Sequence, residues 1–497
     1  MAGIGAGRRI TAAGWWRSDT AADALAHAAR DTPDRILLID GDHCLTAAGL
    51  HDQAQRLAQA LLARFPVGSV ISFMLPNWQE AAVIYMGATL AGMVANPILP
   101  SMIFVPERFR GHDYGAMLER VAAEMENPPE IVIVRAEEGK VCAYDALLTS
   151  APTTGRPLPA LDADEVRMVM YTSGTTGRPK GVMHSHNSIN ALIRQIGRHW
   201  LVEPGDRFLV PSPISHIGGS IYAFETPLLL GATAILMEQW NPDDAVRIMA
   251  EADCTHMAGA TPFLQHLLAA ARAAETRLPA LKLFICGGAS VPPALIREAA
   301  SYFEQAVVSR VYGSTELPVT TVGVIDRADV AHAAETDGHP GIATVRIAED
   351  GEIRARGPQM MVGYVHKADE AASFDPDGYY RSGDQGAWVE IIRNGENIAP
   401  KEIEDLLVGH DAIAEIAIVG VPDPRTGERA VAVIVPRPGA TPDVAALAAH
   451  LAGHGVARFK YPEAVALWDA LPKNDAGKVL KQQIRARLVE EAAPATS

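Results

Sequence analysis

The sequence predicts an α/β protein with two parts. One is a large N-terminal domain of stacked, mostly parallel sheets covered by helices; the other is a small α+β C-terminal domain. Three observations carry this expectation. Short apolar, β-rich runs alternate with helix-patterned stretches, as in parallel sheets covered on both faces. The 497 residues exceed what one hydrophobic core usually serves. A composition shift falls near Glu390, which divides the chain into residues 1–388 and 389–497.

Taken in order, Ser69–Leu75 reads as a strand and Gln79–Ala91 as the helix after it. Further strands are expected at Ile131–Val134, Val166–Met170, Phe208–Val210, Ala234–Met237, Leu281–Cys286 and Val307–Val311. Helices such as Asp243–Glu251 and Pro293–Ser301 fall between them, and His184–Asn187 reads as a polar turn. Beyond Glu390 the pattern predicts a helix over Pro400–Val408, a strand over Ile413–Val419 and a turn at Pro422-Asp423-Pro424. A strand over Ala430–Val435, a helix near Val444–Leu451 and a closing amphipathic helix complete the small domain. In parallel sheets ligands bind beyond the carboxyl ends of strands. Gly287-Gly288-Ala289-Ser290, Tyr312–Glu316 and the run after Met170 all sit at such ends, so one convergent site is expected.

Composition excludes some function classes. The net charge of −16 argues against a nucleic-acid partner and against an anionic membrane surface. No uninterrupted apolar run of about 18 residues is present to span a bilayer. Cys44, Cys142, Cys254 and Cys286 lack metal-ligand spacing and read mostly as reduced core thiols. A cytoplasmic protein is the expectation.

The most informative run is Tyr171-Thr172-Ser173-Gly174-Thr175-Thr176-Gly177-Arg178-Pro179-Lys180-Gly181. It gathers three glycines, four aliphatic hydroxyls and one lysine. Glycines admit close backbone approach, while freed N–H groups and hydroxyls donate to phosphate oxygens. Lys180 adds a compact positive charge. A Walker A loop needs Gly before its lysine and Ser or Thr after it; Pro179 and Gly181 stand there instead. A P-loop NTPase is therefore disfavoured.

This run resembles the phosphate-binding signature of the adenylate-forming superfamily, which includes acyl-CoA synthetases, peptide-synthetase adenylation domains and luciferases. Val311-Tyr312-Gly313-Ser314-Thr315-Glu316 resembles its Tyr-Gly-x-Thr-Glu motif, and Tyr379-Tyr380-Arg381-Ser382-Gly383-Asp384 its Tyr-x-x-Gly-Asp motif. Asn394-Gly395-Glu396-Asn397-Ile398 and Leu471-Pro472-Lys473-Asn474-Asp475-Ala476-Gly477-Lys478 resemble its two C-terminal signatures. The resemblance covers almost the whole chain, and its implied substrates are closest to those of cyclohexanecarboxylate or medium-chain acyl-CoA ligases.

The resemblance implies ATP, Mg²⁺ and CoA, with a small carboxylic acid as the other partner; a homodimer is left open. Thr172, Ser173, Gly174, Thr175, Thr176, Gly177 and Lys180 would hold the pyrophosphate end. Glu316 would help hold Mg²⁺, since an acidic group beside polyphosphate calls for a hard cation between them, and Thr315 would meet the phosphates. Tyr312, Gly313, Gly288, Ala289 and Ser290 would line the adenosine, and Asp384 and Arg393 would complete the nucleotide contacts. Lys478 would bridge carboxylate and α-phosphate, and Gly395, Glu396 and Asn397 would line the thiol's entry once the mobile small domain turns. His216 would line the acyl pocket, although a lone histidine among apolar residues is more often a satisfied core group. Tyr222, Leu317 and Pro318 would shape that pocket. Lys460, Lys473 and Lys481 would meet CoA phosphates or face water. Alternatives are a stand-alone adenylating enzyme that loads a carrier protein, and a non-catalytic nucleotide-binding relative.

The chain is shorter than the family pattern at three places. A Gly-Arg-x-Lys-Asp segment is missing between Glu390 and Ile391, and shortfalls follow Ser101 and fall near Ala348-Glu349-Asp350. We expect the natural chain to carry further residues at these joints. An intact mass equal to the 53.0 kDa of this sequence would overturn that expectation.

Overall fold

The structure is a computed structural model. It describes residues 14–95, 100–136, 142–151, 155–172, 179–288, 291–348, 350–386, 391–393, 396–398, 400–423, 427–473, 479 and 481–492. The chain divides into two compact units. The larger comprises residues 1–346 and 353–383, and the smaller residues 347–352 and 384–497.

Two mainly parallel sheets, each with seven strands among the described residues, build the larger unit. In the first the order is Val307–Arg310, Leu283–Cys286, His256–Gly259, Arg207–Val210, Thr233–Leu236, Ile36–Asp40 and His43–Thr46. All of these neighbours are parallel except the last pair, an antiparallel hairpin. The second sheet runs Gly363–Tyr364, Lys180–Ser185, Val166–Thr172, Val94–Ala95, Val70–Phe73, Met102–Pro106 and Glu130–Val134. Lys180–Ser185 is antiparallel to both of its neighbours, so it marks a local reversal in a parallel sheet.

Side chains alternate between faces along a strand, and the cores follow that rule. Phe208, Val210, Ala234, Leu236, Leu283 and Ile285 join one buried cluster. Their neighbours Leu209, Ile235, Phe284 and Val308 join another. The helix Gln79–Leu90 is buried continuously from Ala81 to Leu90. A helix that is apolar all round belongs inside a layered core.

Most expected elements form within a residue or two of their predicted ends. The polar turn at His184–Asn187 does not. His184 and Ser185 finish a strand, and a helix begins at His186. Ser185 caps that helix, its hydroxyl accepting from the Ser188 N–H while the Ser188 hydroxyl accepts from the Ser185 N–H. The reciprocal caps let strand pass into helix without a polar loop.

In the smaller unit a five-stranded sheet places Glu396–Ile398, Ile391–Arg393, Gly427–Pro436 and Ile413–Asp423 side by side, with Ala464–Leu467 also paired to Gly427–Pro436. Ile416 and Ile418 pack on one face; Ala417, Val419 and Val421 pack on the other. The turn expected at Pro422-Asp423-Pro424 is corrected in part. Pro422 and Asp423 continue the strand, paired with Glu428 and Gly427, and Pro424 lies outside the described residues. The pairing simply runs further than the proline suggested, because Pro422 closes the strand near its end.

Arg167 and Glu225 form an ion pair of 2.7 Å with side chains 2% and 1% exposed. The Tyr85 hydroxyl donates to the same Glu225 oxygen at 2.6 Å, and the guanidinium stacks 4.7 Å from the Tyr85 ring centroid. Burial raises the Glu225 carboxyl above its ordinary range, with Arg167 pulling the other way. Removing one partner of such a pair strands the other in low dielectric. Arg167→Met is therefore expected to destabilise the protein by about 3–5 kcal/mol, and Arg167→Met with Glu225→Leu to recover most of that loss. Denaturant midpoints of both variants check this.

His184 and His186 are buried and held neutral, with desolvation lowering their pKa from 6.5 to about 4 and about 3. Below pH 6.5 the unfolded chain binds more protons at His184 than the fold does, so stability falls as pH drops from 6.5 towards 4. By pH 4 the His184 contribution reaches about 3 kcal/mol. Replacing His184 by Gln is expected to flatten that acid limb, measured as denaturant midpoints between pH 4 and 7.

Candidate functional site

The polar run after Met170 begins and ends on paired strands. Thr172 lies opposite Lys180, and Tyr171 opposite Gly181. Ser173, Gly174, Thr175, Thr176 and Gly177 lie outside the described residues. Backbone pairing thus fixes both ends of the hairpin, with Thr172 and the lysine side by side at its mouth.

The carboxyl edge of the first sheet supplies the second element. After Val307–Arg310 the chain makes a tight turn. The Tyr312 N–H donates to the Thr321 hydroxyl at 2.8 Å, and the Leu317 N–H donates to Ser314 Oγ at 3.2 Å. Gly313 is required here, since a Cβ would lie 2.6 Å from the Val319 nitrogen. Val319 itself adopts φ +48°, a strained conformation for a β-branched residue. Gln195 holds it there by donating to its carbonyl at 2.8 Å. Such strain persists only where surroundings over-determine it, and it clusters at functional sites. One strand over, Gly288 adopts φ +80°; Ala289 and Ser290 lie outside the described residues.

Two side chains join these elements. His184 Nε2 lies 2.8 Å from the Thr315 carbonyl oxygen. A carbonyl only accepts, so Nε2 carries the proton and Nδ1 accepts from Ser188 Oγ at 3.1 Å. Tyr364, paired with Val182 on the neighbouring strand, donates its hydroxyl to Glu316 Oε1 at 2.9 Å. Its ring centroid lies 5.4 Å from Lys180 Nζ. Burial, then the Glu316 charge, raises the Tyr364 phenol pKa, which keeps the hydroxyl protonated as a donor. Lys180, Thr315 and Glu316 therefore belong to one connected site, although Glu316 is only 6% exposed.

His216 is the exposed N-cap of the helix Ile217–Ala223, beyond the strand Arg207–Val210. Its exposure argues against the satisfied core histidine weighed as the alternative to an acyl-pocket role. Tyr222 is buried, stacked on Phe208 with ring centroids 5.9 Å apart and beside Trp200 at 6.1 Å. Leu317 is buried and packs with Val182 and Tyr364, and Pro318 is also buried.

In the smaller unit Asp384 is exposed on the strand Tyr380–Gln385, after Gly383 at φ +75°. Arg393 pairs with Glu396 and Ile392 with Asn397 across a hairpin; Gly395 and Lys478 lie outside the described residues. Lys460, Lys473 and Lys481 each have a carboxylate partner, although the side chains of Lys473 and Lys481 are 39% exposed. They pair with Glu402, Glu415 and Glu404 at 2.7, 2.8 and 2.6 Å. Carboxylates placed on the neighbouring strand and helix account for this.

Sequence reasoning missed Tyr364, since nothing in its spacing from Glu316 or Lys180 marks it; only the sheet pairing does. Among the described residues no group of three His, Cys, Asp or Glu side chains forms a metal cage. One carboxylate bonded to the Tyr364 hydroxyl, with Lys180 facing the same ring, instead suits Mg²⁺, which takes one or two carboxylates together with substrate phosphates and water. Glu316 fits that role. Among the described residues no helix is long and apolar enough to cross a membrane. Of the four cysteines, Cys254 and Cys286 are buried, Cys142 is half-buried and Cys44 is exposed.

Comparison with known proteins identifies the family. Residues 25–365 match the AMP-binding enzyme family, and residues 402–478 match the AMP-binding enzyme C-terminal domain. The medium-chain fatty-acid–CoA ligase of Escherichia coli (strain K12) is 30% identical, over 96% of this chain and 93% of that protein. An octahydroindenyl-propanoyl:CoA ligase of Rhodococcus jostii (strain RHA1) is 32% identical, over 94% and 98%. The ATP-bound crystal structure of MatB from Rhodopseudomonas palustris superposes with a TM-score of 0.62 at 25% identity, over 95% of this chain and 100% of that one. The resemblance read from the motifs is thus borne out, and the chain belongs to the AMP-binding enzyme family.

Proposed function

We propose that this protein is an ATP-dependent acid–thiol ligase. It joins a carboxylic acid to CoA through an acyl-adenylate and releases AMP and pyrophosphate. The observation that carries the reading is the union of Lys180, Thr315 and Glu316 through Tyr364 and His184. A cation and a hard carboxylate held against one tyrosine, beside a threonine whose backbone His184 fixes, suit a magnesium triphosphate.

The chemistry explains the need. A carboxylate oxygen is a poor leaving group, so it first attacks the α-phosphorus of ATP, forming one P–O bond as the bond to pyrophosphate breaks. The CoA thiol then attacks the acyl carbon, loses its proton, and AMP departs. The first step gathers negative charge from the carboxylate and the triphosphate, which positioned cations must offset. Lys180 and the hydroxyls from Thr172 onward hold the pyrophosphate end, and Glu316 holds Mg²⁺. Mg²⁺ neutralises phosphate charge when bound. Tyr312 and the Gly288 turn take the adenine, Asp384 the ribose hydroxyls and Arg393 a further nucleotide contact. Lys478 bridges carboxylate and α-phosphate, and Gly395–Asn397 line the thiol's path. His216 stands at the acyl pocket.

We assign the nucleotide-binding domain to residues 1–388 and the mobile domain to residues 389–497, and place the enzyme in the cytoplasm. Size-exclusion chromatography with light scattering decides between monomer and homodimer. The substrate class we favour is a cyclic or medium-chain acid, in line with the two ligases named above. A panel of such acids is expected to give acid-dependent pyrophosphate release, with AMP as the nucleotide product. ADP as product would overturn the assignment.

Lys478→Ala is expected to lower adenylation by about a hundredfold or more while sparing CoA attack on supplied acyl-adenylate. Equal loss of both half-reactions would contradict the role. Glu316→Gln is expected to raise the Mg²⁺ concentration needed for half-maximal pyrophosphate release, followed by a coupled phosphate assay.

A further inference from the structure

Tyr364 touches both charges of the triphosphate site, and nothing in the motifs accounts for it. Its hydroxyl donates to Glu316 Oε1 at 2.9 Å, and its ring lies 5.4 Å from Lys180 Nζ. The segment that carries it is fastened on two sides. The Met361 N–H donates to the Glu316 carbonyl at 2.8 Å, while the Val362 and Val365 N–H groups donate to the Met183 and Gly181 carbonyls at 2.9 Å. Tyr364 therefore cannot move without shifting the lysine strand, the Glu316 backbone or both.

We propose that Tyr364 is the positioning residue of the magnesium-triphosphate site. The inference rests on the roles assigned above to Lys180 and Glu316. A carboxylate whose Oε1 already accepts a phenol O–H is fixed in rotation, so its Oε2 presents a defined hard oxygen to a cation. The same ring offers its negative face to the Lys180 ammonium, which restrains a side chain that otherwise carries high rotamer entropy. One residue thus sets the relative placement of the cation ligand and the phosphate-binding lysine. Burial of the phenol strengthens both contacts, since low dielectric magnifies charge-assisted hydrogen bonds.

The test separates the two contacts. Tyr364→Phe keeps the ring and deletes the hydroxyl. It is expected to raise the Mg²⁺ concentration for half-maximal ATP–pyrophosphate exchange about tenfold, with little change in KM for the acid or in kcat at saturating Mg²⁺. Tyr364→Leu deletes the ring as well and is expected to raise KM for ATP in addition. A second readout needs no turnover: calorimetry of a non-hydrolysable ATP analogue, with and without Mg²⁺, on the folded protein. The natural protein is expected to show a large Mg²⁺-dependent gain in affinity, and Tyr364→Phe a reduced one. Glu316→Gln is run alongside. If Glu316→Gln shifts the Mg²⁺ dependence and Tyr364→Phe does not, the positioning role is overturned while the ligase reading stands. If Glu316→Gln also leaves it unchanged, the assignment of Glu316 itself falls. Should Tyr364→Leu fail to fold, Tyr364→Phe alone decides.

Discussion

The strand Lys180–Ser185 is the constraint on which the site depends. It is antiparallel to both neighbours in a sheet that is otherwise parallel, and each end has a separate task. At one end register with Thr172 holds the lysine at the mouth of the hydroxyl-rich hairpin. At the other, His184 reaches the Thr315 carbonyl and Ser185 caps the following helix. A one-residue slip would turn every side chain of the strand to the opposite face. It would expose His184 and break its bond to Thr315. The buried histidine and the capping serine therefore lock the register that places the lysine.

That lock also shows how an acidic protein can hold a polyanion. A net charge of −16 gives no general attraction for a triphosphate. Attraction must then be local, and Lys180, set in register opposite Thr172, is a cation placed by backbone pairing rather than by a basic surface. The small-unit lysines follow the same logic from the other side. Lys460, Lys473 and Lys481 are each balanced by a carboxylate, so a positive charge near the C-terminal signature is not surplus by default. Glu316 stands out because it is buried beside a lysine yet bonded to a phenol rather than paired with it. A carboxylate kept from its neighbouring cation by a neutral donor retains an oxygen for another positive charge.

Much of the fold was legible because parallel strands read as short apolar runs, and their period is visible without any partner. Val166–Met170, Leu281–Cys286 and Val307–Val311 were placed this way, and the loops after them followed from the rule that ligands sit at carboxyl ends. What escaped notice depends on pairing rather than pattern. His184-Ser185-His186-Asn187 is polar, so it reads as a turn. Yet Ser185 satisfies the helix start and His184 is paid no solvent, because both its nitrogens have partners. The two-residue strand Gly363–Tyr364 is too short to carry a period. Its meaning lies in a contact to Glu316, forty-eight positions away.

The segment proposed for the acyl side obeys a different rule. On the helix Ile217–Ala223 burial rises along its length, from the exposed His216 cap to Tyr222 packed between Phe208 and Trp200. A residue wedged into an aromatic stack resists displacement, because close-packed interiors transmit strain rather than yield. Tyr222 is thus a fixed part of the core, whereas the first turn, with Ile217 and Gly218 only half-buried, is the accessible part of the helix. Sequence could name both ends as neighbours of an acid. It could not rank them, because composition is the same whether a tyrosine faces a cavity or a tryptophan. The half-buried first turn is thus the part of this helix open to a ligand, and the aromatic stack behind it is rigid.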